Sequence, residues 1–435
     1  MLDWPLLTGP LPLVLQIGAA IAGAWLLIRM VLAPRSPLVK VISCVAFVAG
    51  AAVVTLAGDH LARNVWELFP DRIPLVVLLW AGAAVFTLCM AASLAAVAER
   101  WPVSAGLVIA SAIVVAACAN QVNAVFGAFP TPRDALGMPR PDDVALPSVH
   151  AHTLALATAE PLERSWRPPP GLGTSGKLTS AVIAGPSSRF VARRAKIYLP
   201  PAYFSDLPPR LPVLVLLTGQ PGTPQDWISA GKLPRIMDTF AHAHRGLAPV
   251  VVVPDPTGGP LRDPLCLNSP LGNVDTYLAV DVPAWIKTNL NVDPRPNTWA
   301  VAGASYGGTC ALQLATNHSD VYPNFIDIAG SAEPTLGDRR RTVAAAFGGD
   351  DAAFNRVNPL DLLKARRYPG SAAAIVVGTG DRDTLGDAQR VHEATKAAGM
   401  ESHLTELPGS HDWRVFAAAL AKELPWLAKR VNLID

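Results

Sequence analysis

The pentapeptide Gly303-Ala304-Ser305-Tyr306-Gly307 sets a hydroxyl between two glycines. The apolar run Trp299-Ala300-Val301-Ala302 before it reads as a strand, and Thr309-Cys310-Ala311-Leu312-Gln313-Leu314-Ala315 after it reads as a helix. Glycines flanking a serine let the chain turn sharply from strand to helix and leave the serine oxygen at the tip. The helix then points its positive end at that oxygen and favours negative charge developing there. The chemistry such a turn could do is nucleophilic attack by Ser305. A glycine-rich turn with a bystander serine is the plainer alternative, and the flanking strand and helix weigh against it.

A serine hydroxyl is weak at neutral pH and needs a base within hydrogen-bond reach. Four histidines follow Ser305. His318 ends the helix beside the turn and reads as a surface residue, His392 lies in a charged helix, and His403 falls in a strand-like run. His411, in the loop Leu407-Pro408-Gly409-Ser410-His411-Asp412-Trp413 before the final helix, is the expected base. The acid that orients it should follow the strand Ile375-Val376-Val377. Two aspartates compete in Gly378-Thr379-Gly380-Asp381-Arg382-Asp383: Asp381 comes first and is preferred, and Asp383 is the alternative. The oxyanion of an acyl-transfer intermediate needs two N–H donors. Tyr306 is expected to supply one, and Gln220 in Thr218-Gly219-Gln220-Pro221-Gly222 the other, since Pro221 has no N–H. An ordinary glycine turn is the alternative for that loop. No metal or organic cofactor is needed for this chemistry.

The elements that must position these residues alternate. Strand-like runs cover Ala195 to Leu199, Val213 to Leu217, Pro249 to Val253, Thr298 to Ala302, Asn324 to Ile328 and Ala372 to Val377. Several are continuously apolar, as in parallel strands buried on both faces. Helix-like stretches lie between them, at Leu233 to Ala243, Tyr277 to Asn289, Gly307 to Asn317, Ala388 to Ala398 and Trp413 to Leu427. Such alternation predicts a mostly parallel α/β sheet with helices on both faces, whose ligands bind beyond the carboxyl ends of the strands. Trp227, Trp285 and Trp413 read equally as pocket wall or as core.

The start of the chain is different. Of 435 residues only 16% are charged, and few of those fall in the first 120 or so. Leu11 to Ile28, Val41 to Ala57, Ile73 to Val97 and Pro102 to Ala119 carry no charge. A helix crosses a bilayer with about 20 apolar residues, so these read as four transmembrane helices over residues 1–122, in contact with membrane lipids. No basic leader precedes the first, so it does not read as a cleaved signal peptide. Arg29, Arg35 and Lys40 in the first connection and Arg100 in the third outnumber Arg63 and Arg72 in the second. The positive-inside bias then places the N-terminus and everything after the fourth helix outside the cytoplasm. Residues 123–171 are proline-rich and read as a tether, leaving 172–435 as the catalytic domain. His150, His152, His242 and His244 lack neighbouring ligands and read as solvated rather than metal-binding. Net charge is +2, which gives no reason to expect nucleic acid as a partner. Cys44, Cys89 and Cys118 lie in the apolar helices and read as packing residues. Cys266 and Cys310 fall on the same side of the expected site, where an oxidising compartment would permit a bridge between them.

Assembled, the segments Ile197-Tyr198-Leu199-Pro200-Pro201-Ala202-Tyr203, Leu216 to Trp227, Ser305 with its glycines, Gly378 to Asp381 and Gly409 to Trp413 resemble the esterase family that includes esterase D, feruloyl esterases and the secreted mycolyltransferases. The resemblance covers most of Gly173 to Leu427 and implies an α/β-hydrolase fold and acyl-ester chemistry through an acyl-serine. Many relatives read His-Gly where this chain has Thr218-Gly219, a departure that bears on contacts to the leaving group or acceptor. The resemblance does not reach the four helices; their pairing with such a domain is similar to envelope enzymes of bacteria with mycolic-acid walls. The leading expectation is hydrolysis of an acyl ester, with a lipid or glycolipid among the candidate substrates, outside a bacterial plasma membrane. Transfer of the acyl group to a sugar or lipid hydroxyl is the first alternative, and a non-catalytic envelope-binding module is the second.

Overall fold

The computed structural model describes residues 2–65, 73–98, 100–136, 138, 144–146, 160–259 and 262–435. His150, His152, Arg72 and, within the proline-rich stretch, residues 137, 139–143 and 147–159 lie outside these. The chain forms two compact units, Met1–Met138 and Pro139–Asp435.

Among the described residues the first unit has four long helices: α1 (Pro10–Leu32), α2 (Pro37–His60), α3 (Leu75–Ala95) and α4 (Trp101–Phe126). All four are long and apolar enough to cross a membrane. α4 packs on α1 and α3, and α2 packs on α3. Their shared core is small, built on Leu26, Met30, Met90, Leu94 and Leu107. Close approach is set by small residues: a Cβ on Gly106 would lie 3.1 Å from the Trp25 ring. Arg35, in the α1–α2 connection, donates to the Ser93 hydroxyl (3.0 Å) and carbonyl (2.8 Å) at the end of α3. α4 continues through Asn123 to Phe126, four residues that the sequence reading assigned to the tether. It stops where Gly127 adopts a left-handed conformation, the usual glycine signal at a helix C-terminus.

The second unit is built on an eight-stranded sheet: β1 (Lys177–Ala181), β2 (Ala195–Leu199), β3 (Val213–Leu217), β4 (Val250–Val253), β5 (Trp299–Ala304), β6 (Asn324–Ile328), β7 (Ala372–Gly378) and β8 (Glu401–Leu407). The order is β1-β2-β4-β3-β5-β6-β7-β8, with β2 antiparallel to both its neighbours and every later pair parallel. Central strands are apolar throughout because helices cover both faces: all of β3, β4 and β5 is buried. Edge strand β8 instead mixes polar and apolar residues and is only partly buried. The longer covering helices are α5 (Leu233–Ala243), α6 (Val282–Asn289), α7 (Tyr306–Asn317), α8 (Leu385–Ala397) and α9 (Trp413–Arg430). A single π-helical turn, Tyr277–Asp281, leads into α6. Register aligns the strand ends: Leu217 pairs with Gly303, Gly303 with Asp327, and Gly378 with Leu407. The loops after β3, β5, β7 and β8 therefore open on one edge of the sheet.

The catalytic unit starts well before residue 172. Leu162 and Trp166 are buried in its core. The Leu162 and Glu163 N–H groups donate to the Asn432 and Leu433 carbonyls, and the Trp166 indole donates to the Arg245 carbonyl (2.9 Å). Prolines at 168–170 thus belong to a packed segment rather than a free tether. His244 is not solvated either: its Nδ1 lies 3.0 Å from Glu163 and its ring packs on Phe240.

Candidate active site

Ser305 directly follows β5 with φ 57° and ψ −123°, a strained conformation for a non-glycine residue. What holds it there is close packing at both flanking glycines: a Cβ on Gly303 would overlap Gly307, and one on Gly307 would overlap the Leu217 carbonyl. The Ser305 N–H donates to the Ile328 carbonyl at 2.8 Å, tying the turn to β6. α7 begins at the next residue, directing its N-terminus at the serine.

His411 reaches Ser305 from the loop after β8. Its Nε2 lies 2.9 Å from Ser305 Oγ, and its Nδ1 lies 2.7 Å from Asp381 Oδ2. The loops carrying acid and base are zipped together: Thr379 N–H donates to Leu407, and Gly380 N–H to Gly409 (2.7 Å). Asp412 caps α9 by accepting from the Arg414 and Val415 N–H groups, which fixes the histidine before it. The imidazole packs edge-on against Phe416 at 5.1 Å, Phe416 packs on Trp413, and Trp413 on Trp227. Trp227 is core, with its indole donating to the Leu217 carbonyl, Trp285 packs against the same core, and Trp413 is half-buried beside the histidine.

The two aspartates differ in burial. Asp381 is 4% exposed and contacts His411, whereas Asp383 is on the surface. Burial alone would raise the Asp381 pKa, but the hydrogen bond and charge of His411 and the Thr384 contacts hold it below its ordinary value. The remaining histidines are engaged elsewhere: His318 with Asp275 (2.8 Å), His392 with Ser402 (3.0 Å) and His403 with Glu423 (2.8 Å). His318 is therefore a half-buried ion-pair partner rather than a free surface residue.

The loop after β3 passes over the serine. A Cβ on Gly219 would lie 3.3 Å from that of Ser305. Trp227 holds the start of the loop, and Asp226 holds its end by accepting from Thr223 N–H (2.7 Å). Among the described residues, neither the Gln220 nor the Tyr306 backbone N–H donates to another group of the chain. The Tyr306 hydroxyl is buried, donates to the Pro256 carbonyl (3.3 Å) and accepts from Cys266 N–H (3.0 Å). Cys266 and Cys310 are joined in a disulfide with Cα atoms 5.5 Å apart, linking the loop after β4 to α7. Among the described residues no group of three His, Cys, Asp or Glu side chains is placed to hold a metal ion.

Two buried features had no place in the sequence reading. Asp327, in β6, lies beneath the first turn of α7; it accepts from Gly330 N–H (2.9 Å), and its other oxygen is buried without a partner. A lone acid inside the buried run Phe325-Ile326-Asp327-Ile328 was the available signal. Arg193 pairs with the fully buried Asp255, and only the fold brings these distant residues together.

Known proteins match the same region. A family model described as "Putative esterase" covers residues 191–427. A Corynebacterium glutamicum protein, described only as uncharacterized, is 35% identical over 396 residues, 88% of each chain. That span is longer than the catalytic unit, so the likeness extends into the helical unit. An S-formylglutathione hydrolase of Paracoccus denitrificans is 25% identical over 159 residues, 36% of this chain and 56% of that one. Among solved structures, a ferulic acid esterase superposes with a TM-score of 0.51 at 19% identity, covering 59% of this chain and 98% of its own, which shows the common fold. With more than half its length matched by the family model, the chain belongs to this esterase family, an ester-hydrolysing enzyme on an α/β-hydrolase fold that follows four helices fit to cross a membrane.

Proposed function

We propose that the protein is a membrane-anchored serine esterase working on the outer side of a bacterial plasma membrane. The observation that carries this is the hydrogen-bonded row Ser305–His411–Asp381 at a strained strand-to-helix turn. His411 Nε2 takes the hydroxyl proton as Ser305 Oγ attacks the acyl carbonyl. The ionised Asp381 holds the imidazole with Nδ1–H toward it and stabilises the imidazolium that forms. The Gln220 and Tyr306 N–H groups receive the oxyanion, where each donor lowers the barrier. Collapse of the tetrahedral intermediate expels the alcohol, protonated by His411, and leaves an acyl-serine. His411 then deprotonates water, which attacks the ester and releases the acid.

Orientation is supported by the basic residues of the first and third helix connections and by the even number of helices, which returns the chain to the side of its N-terminus. The Cys266–Cys310 bond fits an oxidising compartment. The substrate we infer is an acyl ester presented by a lipid or glycolipid, because four lipid-facing helices hold the enzyme at a membrane. A sugar or lipid hydroxyl that outcompetes water for the acyl-serine would make the enzyme an acyltransferase.

The test is labelling of intact cells with a membrane-impermeant fluorophosphonate, comparing wild type with Ser305→Ala. Labelling that disappears in the variant is expected. Labelling only after lysis would overturn the orientation, and equal labelling of both proteins would overturn Ser305. Titrating a sugar acceptor into the ester assay then separates hydrolysis from transfer by product.

A further inference from the structure

Arg193 lies ahead of β2, far in sequence from every residue of the row above, yet its side chain ends beside the loop over the serine. Its Nη2 donates to the Gly222 carbonyl at 2.9 Å, to Asp255 Oδ1 at 2.7 Å and to Thr257 Oγ1 at 2.8 Å. Its Nε and backbone N–H both donate to Asp255 Oδ2, at 2.9 and 2.8 Å. Asp255, just beyond β4, is completely buried and also accepts from Thr257 N–H and Gly258 N–H. Burial would raise its pKa; the hydrogen bonds and charge of Arg193 outweigh this and keep it low.

This is more than an ion pair. Asp255 is already served by a bidentate fork, and the third acceptor, Gly222, is the last residue of the Thr218–Gly222 loop. Pro256, between the Asp255 and Thr257 that Arg193 also contacts, is tied to the residue after the nucleophile, since its carbonyl accepts from the Tyr306 hydroxyl. Arg193 thus stands between the two backbone segments proposed to receive the oxyanion. Gly222 is closely packed within its own loop: a Cβ there would lie 2.5 Å from the Gly219 carbonyl oxygen and 3.0 Å from both Thr218 Oγ1 and Asp226 Oδ2.

We propose that Arg193 is a positioning residue for acyl transfer, its guanidinium bridging Asp255 and the Gly222 carbonyl so that the Gln220 N–H is held where the oxyanion forms. This rests on the serine-esterase reading. A lysine could keep the charge beside Asp255, but it lacks the rigid fork that reaches Gly222 at the same time.

The test uses the full-length protein in detergent with a short-chain p-nitrophenyl ester. Losing an oxyanion donor costs about 10²–10³ in kcat, and a donor displaced rather than removed costs less. Arg193→Ala is therefore expected to lose about 10- to 100-fold in kcat with KM within about twofold. Arg193→Lys should fall between it and wild type. The Arg193 side chain is 26% exposed, so guanidinium at non-denaturing concentration can enter the vacated space. It should restore much of the activity of Arg193→Ala and none in the Arg193→Ala/Asp255→Ala double variant. Wild-type kcat in folded Arg193→Ala, or in Arg193→Lys, overturns the clamp, and so does a loss that guanidinium leaves untouched. If Arg193→Ala does not fold, the lysine variant decides alone: reduced kcat at unchanged KM and melting temperature supports the clamp, and unchanged kcat ends it. Turnover retained by Ser305→Ala would instead sink the underlying esterase reading, whereas a dead Ser305→Ala beside a fully active Arg193→Ala sinks only the clamp.

Discussion

The helical unit and the catalytic unit dispose of apolar side chains in opposite ways. Among the described residues, thirty-one large apolar side chains up to Met138 are exposed; beyond it only Val182, Val191, Leu207 and Val280 are. Exposed Leu, Ile and Val on every helix of the first unit are stable only where the surroundings are themselves apolar, and helices suit such surroundings because they satisfy their own backbone groups. In the catalytic unit the informative residues are the reverse: buried polar groups such as Asp255, Asp327 and Asp381, each costly to bury without a partner. The first unit therefore reveals its solvent by what it exposes, and the second reveals its site by what it hides.

The largest expected effect is confined to the second unit. His411→Ala should lower kcat by about 10⁴-fold or more and leave membrane extraction and the melting of both units nearly unchanged. An ester assay on detergent-solubilised protein measures it. Residual activity within tenfold of wild type would mean that the hydrogen-bonded row is not the reacting centre.

Asp327 gives the next effect, on stability. Burial, with the Asp387 charge adding to it and Gly330 N–H opposing, pushes its pKa up to about 7. An unfolded aspartate titrates near 3.9, so between about pH 4 and 7 the folded protein holds a proton that the unfolded chain has lost. Stability must then fall as pH rises through that window and level off above it, by roughly 4 kcal/mol for three pKa units. Asp327→Asn keeps the shape and removes the titration. Urea unfolding of the catalytic unit's signal at several pH values should show the slope in wild type and lose that part of it in the variant; parallel curves would mean that the carboxyl is ionised in the fold.

How legible each unit was follows from the same contrast. The four helices could be read from composition because their whole surface obeys one rule, although their ends could not: Asn123 caps the chain after α4 through Phe129, a contact no hydropathy window sees. Ser305, Asp381 and His411 could be nominated because each follows a strand in a short glycine-marked loop. Leu162 and Trp166 were lost in the proline-rich stretch, since local composition cannot show that they dock against the C-terminal residues. Arg193 and Asp255 pair at a sequence separation that no spacing rule spans, and Asp327 carries no motif at all.

A smaller effect should appear in the first unit alone. Gly106→Leu puts a branched side chain where the Trp25 ring already lies 3.1 Å from a Cβ. Overpacking of this kind costs about 1–3 kcal/mol. Thermal unfolding of the helical unit in detergent should shift down, with ester turnover within twofold of wild type. A matching loss of turnover would show that the helices govern the site rather than hold it at the membrane.

The smallest effect is expected at Asp383, and set beside its neighbour Asp381 it repeats the contrast between exposed and hidden groups. Asp383→Asn removes a surface charge and should leave kcat within about twofold, as surface substitutions usually do. Asp381→Asn keeps nearly the same volume but can no longer hold the imidazole in the tautomer that accepts the serine proton, and should cost about 10⁴ in kcat. Both carboxyls follow the same strand in the same short loop, so position cannot account for such a difference. What separates them is that Asp381 is buried against His411 and Thr384. If the two variants lost activity equally, the charge of the loop rather than the buried contact would be what the histidine senses.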